Sequence, residues 1–135
     1  MTNLVLVGRL VFGAWMLVNG VNHFFGPFYP EPAGSEALAV LLMDALVHSR
    51  LFDVAMAIQL VAGALILTGF FVPVALAAVM TISTCAVYWA VILEHEPLGA
   101  VLALAAFALN GLLMLAYLDY YRSVLERRTL SVGEA

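Results

Sequence analysis

With 65% hydrophobic and 10% charged residues over 135 positions, and a mean hydropathy of +1.08, the chain lies far outside the soluble globular range. Nearly all of it is needed for membrane-spanning segments, so no separate soluble domain is expected within it. The net charge of −4 identifies no partner, because the placement of charges matters more in such a chain, and the dispersed arginines form no basic patch for nucleic acid.

The first apolar run, Leu4–Phe25, would be about 33 Å long as a helix, enough to cross a bilayer. It is too long for a signal-peptide core, and Asn-His-Phe-Phe stands where a cleavage site would fall, so the segment is expected to stay. Arg9 is within snorkelling reach of one face, and Gly13 and Gly20 share a side on which a neighbouring helix can approach. Asn19, Asn22 and His23 near its far end need partners from other segments, because lipid offers none. Gly26-Pro27 stops the helix, and Pro30 and Pro32 keep the chain extended.

Ser35 reads as the N-cap of a short helix over 35–49. Leu38, Leu41, Leu42, Ala45 and Leu46 form one apolar face, with Asp44 and His48 elsewhere. The helix is too short to span and is read as interfacial, with a buried re-entrant helix as the alternative. The second span is Leu51–Phe71, with Asp53 at its mouth and Gln59 inside; the turn at Val72-Pro73 makes it an antiparallel neighbour of the third, Val74–Leu93. Glu94 to Pro97 is a polar turn before the fourth span, Leu98–Tyr120, and residues 121–135 form a tail carrying Arg122, Arg127 and Arg128. The expected fold is therefore an all-α integral membrane protein: one domain over 1–135, a four-transmembrane-helix bundle with a short outer interfacial helix.

An even number of spans puts both termini on one side. Arg9, Arg122, Arg127 and Arg128 lie on that side, whereas the opposite side carries Arg50 with Glu31, Glu36, Asp44, Asp53, Glu94 and Glu96. The positive-inside rule then places both ends in the cytoplasm.

Arg-Leu-x-x-Gly ahead of Asn-Gly-x-Asn-His-Phe-Phe resembles the first span of the DoxX-like family of small four-span bacterial membrane proteins. IQLVAGALILTGFFVPVAL resembles that family's second span. The likeness covers roughly the first two-thirds of the chain and implies the bacterial inner membrane. Many relatives have lysine where His23 stands, and the usual glutamate of the second span is Gln59 here. The family's namesake is a small subunit of a thiosulfate:quinone oxidoreductase, so the resemblance implies a fold more than a reaction.

By helical rise, Asn19, Gln59 and Tyr88 lie about 9, 12 and 8 Å below the outer ends of their spans. His23 sits one turn above Asn19, and Trp15 continues that face inward. Trp15, Asn19, His23, Gln59 and Tyr88 are thus the candidate ligand-binding residues, an outer-leaflet pocket for a quinone or another amphipathic ring. The alternative is that they only hydrogen-bond between helices, as Asn110 deeper in the fourth span is expected to do. His23, His48 and His95 with the outer carboxylates lack HxxxH or HExxH spacing, and no metal, haem or flavin motif is present. Cys85, a lone cysteine, has no histidine at matching depth, nor have Ser83 and Thr84, and no catalytic signature is found. Three functions remain open: an accessory or scaffold subunit packing against a larger membrane complex or its own copies, a quinone-linked redox component, and a small transporter. Gln59 cannot cycle a proton, which counts against the last.

Overall fold

The computed structural model describes residues 3–26, 28–31 and 34–125. Pro27, Pro32, Arg127 and Arg128 lie outside the described residues. Six helices follow in order: α1 (Asn3–Phe25), α2 (Ala37–His48), α3 (Leu51–Thr68), α4 (Val72–Val87), α5 (Pro97–Ala116) and α6 (Leu118–Leu125). The last turns of α4 continue without a break as a π-helix over Tyr88–Glu94. Four of the helical segments, Asn3–Phe25, Leu51–Thr68, Val72–Glu94 and Pro97–Ala116, are long and apolar enough to cross a membrane. α2 is the shorter apolar helix that accompanies them. All-helical architecture and four spans are as the hydropathy predicts.

The spans form a ring in which α1 packs on α3, α3 on α4, α4 on α5, and α5 closes on α1. Glycine sets the tightest of these contacts. A Cβ on Gly63 would stand 2.5 Å from the Leu17 backbone nitrogen, one on Gly20 would stand 2.8 Å from Leu60 Cα, and one on Gly13 would stand 3.0 Å from Leu67 N. The antiparallel register pairs 20 with 60, 17 with 63 and 13 with 67, so two backbones meet along most of their length. Gly13 and Gly20 do what their spacing predicts; their partner is α3.

The apolar core lies toward the end of the bundle where α1 begins and α5 ends. Phe12, Met16, Ile66, Val72, Leu76, Val79, Leu113 and Tyr117 form it, with Trp15 packed against its edge. Arg9 also lies at this end: its Nη1 is 3.5 Å from the Tyr117 hydroxyl, and its guanidinium lies beside Gly69 at the C-terminus of α3, where a positive charge suits the helix dipole. Between α4 and α5 the clamp is polar. Asn110, 0% exposed, donates from its amide nitrogen to Leu76 O and accepts at its oxygen from Met80 N and Ser83 Oγ, each at 3.1 Å. This is the interhelical bonding expected of it.

Element ends differ from the sequence reading where apolar residues blur them. α3 stops at Thr68, because Gly69 takes a left-handed φ of 85° and its N–H closes on Leu65 O. Pro73 lies inside the first turn of α4, the place where its missing N–H costs nothing. α5 ends at Ala116, and the helix that follows is separate. Ser35 is not the N-cap of α2. Glu36 holds that place, without a side-chain cap, and Ser35 is engaged elsewhere.

Candidate functional site

The opposite end of the bundle, the cap end, carries α2, the described residues between α1 and α3, and the turn at 95–96, and hydrogen bonds rather than core packing organise it. Asn22, 2% exposed, is its first organiser. Its Oδ1 accepts from the backbone N–H groups of Phe28 and Tyr29 at 2.7 and 3.0 Å, and its Nδ2 donates to Tyr29 O at 3.1 Å. One amide thus folds the chain back over the end of α1. Gly26 is required for this turn, since a Cβ there would lie 2.5 Å from Asn22 O. The Tyr29 hydroxyl then donates to Asn19 Oδ1. Burial, with the nearby Glu31 carboxylate, pushes the Tyr29 phenol above its ordinary pKa, so it stays a donor.

His23 is the second organiser. Its Nδ1 lies 2.7 Å from Glu31 Oε1, and its Nε2 lies 2.7 Å from Asp53 Oδ1. Arg50 Nη1 reaches the other oxygen of Asp53 at 3.5 Å. The ring is framed edge-on by Phe24 and Phe52, with centroids 4.8 and 5.2 Å away. The imidazole therefore ties α1, the 28–31 loop and the first turn of α3 together.

Glu94 is the third. It ends the third span and receives Ser35 N at 2.8 Å, Ser35 Oγ at 2.7 Å and Glu36 N at 3.2 Å. The carboxylate caps α2 from another segment, which is why Ser35 turns away from its own helix. Trp89 completes the attachment by donating from Nε1 to Ala39 O at 3.0 Å. Both residues come from the π-helix, whose wider turns change the direction in which its last side chains point.

The five residues expected to line a pocket separate on this geometry. Asn19 and His23 belong to one hydrogen-bonded group with Tyr29, Glu31 and Asp53. Trp15 belongs to the edge of the apolar core. Gln59 lies partly buried in α3, and its Oε1 is fully buried with no hydrogen-bond partner among the described residues. Tyr88 is a correction to the expected convergence. It is 55% exposed on the outside of the bundle, because it stands roughly 140° round the helix from the inward-facing Ser83. Equal depth does not mean a shared face. Glu31 and Asp53 complete the group instead, since an antiparallel α1–α3 pair places an α3 first-turn acid within reach of His23.

The chemistry open to this end is hydrogen bonding and proton exchange. The two carboxylates stand at opposite ends of the imidazole, and among the described residues no group of three His, Cys, Asp or Glu side chains could hold a metal ion.

No curated protein and no solved structure matches the chain. A family model does, over residues 4–93, the stretch that holds α1, the loop organised by Asn22 and His23, α2, α3 and nearly all of the third span. The glycine-packed α1–α3 pair and the Asn22 and His23 clusters built on it therefore lie within the matched region, with Glu94 just beyond it, and the chain belongs to the DoxX family.

Proposed function

We propose that the protein is an accessory or scaffold subunit of a larger membrane complex in the bacterial inner membrane, with both termini in the cytoplasm and the cap end facing outward. One observation carries this reading: the polar groups of the cap are spent on the chain itself. Both nitrogens of His23, both oxygens of Glu94 and both ends of the Asn22 amide bind segments of the same molecule. Such an end is built to hold a shape. The large side chains on the flanks, among them Val61, Val74, Val101, Leu112 and Leu115, are apolar and exposed, as surfaces for lipid or a partner's helices require.

Purification from native membranes in mild detergent, followed by mass spectrometry, is expected to recover a second membrane protein in fixed ratio. Recovery of this chain alone, across several detergents, would count against the reading. Orientation has its own test. A reporter fused in the turn at His95 is expected to behave as exported and one fused after Arg122 as cytoplasmic; the reverse result would sink the arginine argument.

A second reading is favoured by Gln59. An amide oxygen buried without a partner is costly, and a hydroxyl donor from an amphipathic ring compound, such as a quinol, would satisfy it. In that reading Gln59 would hold the ring's polar edge, and the compound would supply the redox chemistry.

A further inference from the structure

Three titratable side chains from three separate segments meet at the cap end. His23 closes α1, Glu31 lies on the loop, and Asp53 lies in the first turn of α3. Among the described residues Arg50 also faces the set, on Asp53, and the Tyr29 phenol lies close enough to feel the Glu31 charge. Proton counting constrains this arrangement. A neutral imidazole has one N–H and one lone pair, whereas each ionised carboxylate offers only lone pairs. Both 2.7 Å contacts can be donated by the ring only when it carries two protons.

We propose that His23 makes the cap a proton-operated clasp, closed over the end of α1 while the imidazole carries both protons and opened at Glu31 when it loses one. The contact that yields is decided by what remains around each acid. Asp53 is fixed in a helix and keeps Arg50 as a counter-charge, so the single remaining N–H stays with it. Glu31 sits on the loop and then faces a ring lone pair. Repulsion drives it off, while the Asn22 amide still holds Phe28 and Tyr29 through three hydrogen bonds, so the part that swings out is the Pro30–Glu31 end of the loop. Opening therefore bares the Nδ1 side of His23 to the outer medium. Rising pH in the imidazole range opens the clasp, and falling pH closes it.

The test places a nitroxide at Pro30→Cys, an exposed position beside Glu31, in a Cys85→Ser background, in lipid nanodiscs, and follows label mobility between about pH 5 and pH 9, a window that spans imidazole but not carboxylate titration. The immobilised component is expected to fall about fivefold across the window, with the slope of a single proton. His23→Gln is expected to show no pH response. Glu31→Gln is the decisive variant, because a neutral ring can donate to Asp53 and accept from the new amide, so the label should stay immobilised throughout. A wild-type spectrum that does not change with pH would overturn the proposal. So would a titration that survives in His23→Gln, or one that Glu31→Gln shares with the wild type.

Discussion

Replacing Gly63 with leucine is expected to cost about 3 kcal/mol or more and to break the α1–α3 pair. Even the first carbon of the new side chain would lie 2.5 Å from Leu17 N and 2.9 Å from Gly13 O. Both are backbone atoms of a hydrogen-bonded helix and cannot rotate away. The helices must therefore separate, and the close contacts at Gly13 and Gly20 open with them. The damage reaches the cap, since His23 on α1 and Asp53 on α3 stand 2.7 Å apart only while the two helices keep their spacing. Thermal unfolding in detergent, read by size-exclusion of the heated sample, measures the effect. Gly111→Ala is the matched control: its Cβ would meet only Met80 Cε, at an ordinary 3.6 Å, and the gain in helix propensity is about 0.5–1 kcal/mol. A Gly63→Leu protein as stable as the control would mean that α1 and α3 are not packed backbone to backbone.

Most of this framework is legible in the sequence because lipid imposes it. Apolar runs of spanning length, broken by Gly26-Pro27 and by Glu94 to Pro97, leave few ways to place four helices. Polar residues inside those runs are equally visible, and Asn19, Asn22, His23 and Asn110 all find partners, whereas the Gln59 oxygen does not. The partners are what the pattern hides. Glu31 lies on an irregular loop, and its distance from His23 depends on a chain reversal that Asn22 organises from one helix end. Ser35 has the chemistry of an N-cap, but a carboxylate from a distant segment competes for it and wins by accepting from two backbone N–H groups as well as the hydroxyl. Tyr88 shows the third kind of limit. Depth follows from counting residues, whereas facing depends on azimuth, which depth does not give.

Gln59→Leu is expected to stabilise the folded protein by about 1–2 kcal/mol, although a glutamine inside a span suggests the opposite sign. Had the amide bridged two helices, leucine would have left its partners unpaired and loosened the bundle. Its Oε1 is instead buried with no partner among the described residues, so the folded state already carries the desolvation cost of a polar atom. Leucine removes that atom, keeps similar bulk and suits the apolar surroundings of α3. The substitution also separates the two functional readings. If the protein is a scaffold and Gln59 binds nothing, the variant melts higher and its partner still co-purifies. If the amide holds the polar edge of an amphipathic ring, the variant folds but loses a compound that the wild type retains through purification in near-stoichiometric amount. Extraction of both proteins into organic solvent, followed by mass spectrometry, reads the second outcome, while melting of the delipidated proteins reads the first. A lower melting point for Gln59→Leu, with no bound compound in either protein, would show that the amide has a structural partner after all and would refute both uses of the orphaned oxygen.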